Sequence, residues 1–156
     1  MATIIAEDGT GLANSNSYAT EAELTTYATD RGITIAGTTA VLLIQAMDYL
    51  EQKGFIGTKG SEAQALQWPR WGALLDGYYI ETTDIPVLLK ESQMEFALGI
   101  DGGTNPLSNQ DRETTREKVG DIEVEYSGSA RAVTYITAGE TKISKLVRRI
   151  TGAFRG

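Results

Sequence analysis

Residues 38–54 read TTAVLLIQAMDYLEQKG, and this stretch decides the fold. Leu43, Met47 and Leu50 recur at helical spacing on one face, and Val41, Leu42 and Ile44 widen that face beyond a single stripe. Gly54 stands where a helix stops. A helix apolar over so much of its circumference needs neighbours on more than one side. The stretch therefore predicts the central helix of a mainly α domain.

Working outward, Thr20 and Glu23 have the spacing of a capping box, and Leu24 and Tyr27 supply an apolar face before Gly32, which predicts a helix over 20–31. The segment before it, AEDGTGLANSNS (6–17), is dense in turn formers and reads as an ordered surface loop. On the other side, Ser61 and Gln64 form a second capping box for a short helix that must end near Trp68, because Pro69 disfavours helical geometry in the residue before it. Asp84 is placed to cap a further helix that accepts Pro86 in its first turn and runs through Leu89, Met94, Phe96 and Leu98 to Gly99.

Beyond Gly99 the chain turns polar, so 100–116 reads as a long loop or arm. In 118–126, Ile122, Val124 and Tyr126 alternate with acids, a strand with one wet face, and 131–137 offers a second strand across the turn at Ser127 to Ser129. Ile143, Leu146, Val147 and Ile150 then sit at i, i+3, i+4 and i+7, with Lys145, Arg148 and Arg149 around them. The expected fold is mainly α: a small helical bundle of four to five helices, a β-hairpin or extended arm in the 117–137 region, and a C-terminal basic amphipathic helix. It forms one domain over 1–156, divided into a helical core (1–99), an arm or hairpin (100–137) and a C-terminal docking helix (138–156).

Composition narrows the chemistry. The chain has 156 residues, 41% of them hydrophobic, with no Cys and no His. Disulfides, thiolate nucleophiles, Cys or His zinc sites and Ser-His-Asp triads are therefore excluded. The formal charge is −7, and it is uneven. Residues 1–110 hold 14 Asp+Glu against 5 Lys+Arg, while 111–156 hold 7 against 9. That balance argues against a chain-wide nucleic-acid surface. No apolar run approaches the roughly 20 residues that span a bilayer, so no membrane partner is expected.

Several motifs invite a function. The loop DGTGLANSNS lacks the Lys-Ser/Thr ending of a phosphate loop and the terminal Glu of a calcium loop, so a structural loop is favoured. Carboxylate pairs at Glu7/Asp8, Asp48/Glu51, Glu91/Glu95 and Glu123/Glu125 are what an acidic chain produces by chance, and catalysis is given little weight. No catalytic residue, cofactor or metal site is read, and the chain is not taken for an enzyme. The block QALQWPRWG (64–72) holds both Trp residues, Pro69 and Arg70. Aromatics beside Arg can stack bases. Core packing or a subunit contact is the favoured role for Trp68, Pro69, Arg70 and Trp71, and also for Ile122, Val124 and Tyr126. The aromatics and the carboxyl-terminal bases lie some seventy residues apart and read as different elements. The basic terminal helix best suits a groove on a partner protein.

Taken in order, EDGTGLANSNSYAT (7–20), AMDYLE (46–51), QALQWPR (64–70), DGYYI (76–80), IP followed by LK (85–90) and EKVGDIEVEYS (117–127) resemble a tailed-phage family. It is the family of head–tail adaptor, or head-completion, proteins, many of whose members carry the label of DnaT-like single-stranded-DNA-binding protein. The resemblance implies a virion protein of the neck, assembled in the host cytoplasm as a twelvefold homo-oligomeric ring beneath the portal protein. Such a ring extends the channel for duplex DNA, which passes without specific binding, and offers tail or neck proteins their attachment surface. By analogy, Ile143, Leu146, Val147 and Ile150 dock on the portal, with Lys145, Arg148 and Arg149 meeting acidic groups there. The alternative is single-stranded DNA binding through Trp68, Arg70, Trp71 and the terminal bases.

Overall fold

The computed structural model of the chain describes residues 2–107, 116–119, 122–125 and 136–148. Among them four helices and three two-stranded antiparallel hairpins follow one another. Helix α1 (Glu21–Thr29) starts as its capping box predicts: the Glu23 N–H donates to Thr20 Oγ1 at 3.2 Å, and the Thr20 N–H donates to the Glu23 carboxylate at 2.6 Å. Two otherwise orphaned donors are thereby satisfied. Helix α2 (Thr39–Leu50) is central, packed by α1 and by α3 (Val87–Asp101), and buries Leu42, Leu43, Ala46, Met47 and Leu50.

Helix α3 begins three residues after the expected Asp84 cap. Asp84 closes a turn instead, its N–H donating to Glu81 O at 3.0 Å, and Pro86 takes the N-cap position. Gln93, fully buried on α3, holds the core's polar seam. Its Oε1 accepts from the Tyr18 and Ala19 N–H groups (2.9 and 3.0 Å), and its Nε2 donates to Ser17 Oγ and Leu43 O (2.8 and 3.1 Å). One side chain thus ties the amino-terminal loop to α2, with every donor and acceptor used.

The stretch between α2 and α3 departs from expectation. No helix forms at 61–68. Gln64 turns inward, its Oε1 accepting from the Ser61 N–H (2.7 Å) while Nε2 donates to Leu66 O and Pro69 O (2.9 and 3.1 Å). The capping-box contact is present, but the few residues before Pro69 are too short a run to repay helix nucleation. The chain instead makes two small hairpins: β1 (Thr58–Lys59) with β2 (Arg70–Trp71), and β3 (Leu74–Leu75) with β4 (Tyr78–Tyr79). Asp76 and Gly77, both with positive φ, turn the second one.

Strand β5 (Arg116–Val119) pairs with β6 (Ile122–Glu125), setting Arg116 opposite Glu125 and Lys118 opposite Glu123. The hairpin is therefore folded within 116–125, where Gly120-Asp121 is a two-residue turn signal, and not between 118–126 and 131–137. Ile136 and Thr137 open helix α4 (Thr137–Ile143) instead. Helix α4 docks on α3 at close range: a Cβ at Gly139 would lie 2.7–2.9 Å from the Phe96 ring, and Ser92 Oγ donates to Gly139 O at 2.9 Å. The fold leans to helix, but the hairpin layer at 51–86 means that it is not a plain bundle.

Candidate functional site

The Trp-Pro-Arg-Trp block divides into an inner and an outer half. Trp68 is fully buried, its ring edge-on to Phe55 at 6.3 Å, and its N–H donates to Tyr18 Oη at 3.1 Å. Its indole Nε1 is the one buried side-chain polar atom without a partner among the described residues. Arg70 is buried too. Its Nε donates to Ile56 O (2.7 Å), Nη1 to Gln67 O and Oε1 (3.1 and 3.0 Å), and Nη2 to Gly57 O (3.0 Å). Burial, and then the Arg148 charge beside it, draw this guanidinium down from its ordinary value. Pro69 is buried, and its carbonyl accepts from the Gly60 N–H at 3.0 Å. Trp68, Pro69 and Arg70 are thus structural, as the favoured reading expects. Only Trp71, 58% exposed, faces outward, its Nε1 donating to Gly60 O at 3.2 Å.

The carboxyl-terminal segment lies elsewhere than expected. Ile143 ends α4 and is buried, Leu146 is fully buried, and Val147 is half-buried against the same core. The reason is a backbone partner across the molecule. The Ile56 N–H donates to Leu146 O (2.9 Å), the Arg148 N–H to Gly54 O (2.8 Å), and Phe55 bridges antiparallel to Val147. Residues 146–148 therefore run extended along 54–56, and the apolar stripe covers the chain's own core. As a correction, Ile143, Leu146 and Val147 do not form the exposed face of a docking helix. Arg149, Ile150 and Tyr126 lie outside the described residues, and of Ile122 and Val124 only the backbone is described.

This placement brings the terminal bases to the aromatic block, against the expectation that they belong to separate parts. Arg148 Nη2 donates to Gly57 O at 2.8 Å, the carbonyl that Arg70 also uses, and Lys145 pairs with Asp76 in the β3–β4 turn at 2.9 Å. Both partners of that pair are more than half exposed, so it holds Lys145 weakly. Next to the turn stand Tyr78 and Tyr79, 80% and 78% exposed, with Leu74 at 48%. Sequence reasoning missed these three. The Asp76-Gly77 pair was the available signal, since Asp-Gly between apolar residues marks a hairpin whose flanks project side chains.

The acids are occupied in structure. Glu7 is buried, and its carboxylate accepts from the N–H groups of Gly9 (3.1 Å), Gly11 (2.8 Å) and Leu12 (2.9 Å) and from Ser15 Oγ (2.9 Å). The glycine-rich loop thus wraps its own carboxylate, which takes the N–H groups that an outside anion would need. Exposed Asp8 accepts from the Thr10 hydroxyl (2.6 Å) and N–H (2.9 Å), which lower its pKa. Glu51 accepts from Tyr18 Oη (3.1 Å) and the Gln67 N–H (3.2 Å), and burial raises its pKa. Glu91 pairs with Lys142 (2.6 Å), and Glu95 accepts from Tyr27 Oη (2.6 Å). No cluster of three metal-ligating side chains occurs among the described residues, and no helix there is long and apolar enough to cross a membrane.

No curated protein and no solved structure matches the chain. A family model matches residues 2–155, nearly the whole length, and the chain accordingly belongs to the family described as "Putative DnaT-like ssDNA binding protein".

Proposed function

We propose that this chain is a structural assembly protein, the subunit of a tailed-phage head–tail adaptor ring beneath the portal, with no enzymatic step of its own. It would act in the virion neck after assembly in the host cytoplasm, and tail or neck proteins would attach to the ring. One observation carries the reading. Trp71, Leu74, Tyr78 and Tyr79 stand exposed on two adjoining hairpins, while the Arg70 guanidinium beneath them is wholly engaged by the chain's own groups. Exposed Tyr and Trp over a committed Arg suit a protein interface, where aromatic anchors supply contact area. The ordered sequence blocks that resemble adaptors support the same reading. So does the charge of −7, which suits a channel that duplex DNA must pass without sticking.

A second reading, single-stranded DNA binding, is favoured by the family's description and by the nearness of Trp71, Tyr78 and Tyr79 to Lys59, Lys145 and Arg148. Against it, Trp68 and Arg70 are not available to a base. The two readings separate by light scattering with the purified portal and by anisotropy with a labelled oligo-dT. A large stoichiometric portal complex with no DNA affinity upholds the adaptor. DNA binding that falls steeply with salt, without a portal complex, overturns it.

A further inference from the structure

The described charges are distributed unevenly over the molecule. Lys59, Arg70, Lys145 and Arg148 gather on the hairpin side, where Asp76 is the acid at the turn. On the helical side Lys53, Lys90 and Lys142 are each already paired, with Glu140, Glu23 and Glu91. Arg31 lies over the Tyr27 ring at 3.3 Å. That leaves Glu21, Asp30 and Asp48 on α1 and α2 exposed, with no basic partner among the described residues. The molecule therefore carries an aromatic face rimmed by bases and, on a different element, an acidic helical face.

From this we infer that the hairpin face of one copy binds the acidic face of α1 and α2 on a second copy of this chain, head to tail. The inference rests on the assembly reading above and names the surfaces that join. Two different patches meeting give a heterologous contact, which propagates until it closes. Tyr78, Tyr79 and Trp71 would supply the buried anchors, and Lys59, Lys145 and Arg148 would fix the register against the partner's acids. Charge also selects the occupant. The chain's own terminal segment beyond Arg148 is basic in sequence and would be repelled from a basic rim, whereas the acidic helices are attracted.

The absence of Cys permits a direct test. Tyr79→Cys carries a single benzophenone at an exposed position, and photocrosslinks are mapped by mass spectrometry, with the protein alone and with the portal, at low and high salt. The expected result is a ladder of covalent multimers joining position 79 to α1 or α2 of another copy. Its yield should fall about tenfold or more in high salt and in the surface double variant Asp30→Lys with Asp48→Lys. Crosslinks to the other copy's hairpin, to the chain's own terminal segment or to oligo-dT alone would overturn the inference, as would the absence of a ladder under every condition. The portal complex is scored separately. A ladder without a portal complex sinks the adaptor reading and keeps these surfaces, and a portal complex without a ladder does the reverse.

Discussion

Gln93→Leu tests whether the fold turns on one polar side chain. Leu is close to Gln in volume, so the substitution leaves little cavity. It removes both partners of the Gln93 amide and strands the Tyr18 and Ala19 N–H groups, which now lie 2.9 and 3.0 Å from Oε1 in a region without solvent. A buried donor left unmet costs about 1–3 kcal/mol, so two cost about 2–6 kcal/mol. Leu43 O loses its bond from Nε2 as well. Against a total stability of roughly 5–15 kcal/mol, the loss is a large share. Urea unfolding followed by Trp fluorescence should show a lower midpoint at unchanged slope, since Trp68 reports the core directly. Gln93→Glu sharpens the comparison, because a carboxylate keeps both N–H contacts but brings a buried charge. It should recover part of its loss on acidification, and Gln93→Leu should not. A Gln93→Leu loss below about 1 kcal/mol would refute the reasoning, for the two N–H groups would then have found other partners.

Three further outcomes follow from the same geometry. Glu7→Gln points an NH2 at the Leu12 N–H and Ser15 hydroxyl; it should cost about 1–3 kcal/mol and speed protease cleavage within 8–16. Gly139→Ala drives a methyl into the buried Phe96 ring and should cost about 1–3 kcal/mol, or several degrees in a melting scan, whereas Gly54→Ala, with nothing within 4 Å, should be silent or slightly stabilising. Glu51→Gln keeps an oxygen for Tyr18 Oη and the Gln67 N–H but removes a charge that burial disfavours. Because the folded carboxyl titrates above its unfolded value, its penalty is absent at low pH and develops as pH rises through the folded pKa. The variant should therefore gain stability over wild type near neutrality and lose that advantage on acidification, as paired urea curves across pH would show.

The first three helices were legible because their signals are local: the Thr20/Glu23 box, the broad apolar face of 41–50, and the run from Leu89 to Leu98. What failed is what long-range partners decide. The 143–150 spacing fits a helix, yet residues 146–148 lie extended because Gly54 and Ile56 offer them backbone hydrogen bonds, which no local pattern announces. Two-residue strands are too short to show a period, so the hairpins at 58–79 were invisible apart from Asp76-Gly77. The inward role of Trp68 was readable from its hydrophobic bulk. The exposure of Tyr78 and Tyr79 was not, and neither was the joining of Lys145 and Arg148 to the aromatic block, which depends on where the far end of the chain returns.

That return has a consequence for how the protein is made. Arg148 reaches back 91 residues to Gly57, and Leu146 and Ile143 cover the core beside Phe55. At roughly 5–20 residues per second, a ribosome needs about 5–20 s to synthesise that interval. Throughout it Phe55 and the Phe96 face of α3 are already in the nascent chain, while α4 and residues 146–148 that cover them are not. Folding is therefore completed only as synthesis nears its end, and a chain stalled before Ile143 is released with an open core, the form that chaperones and proteases recognise.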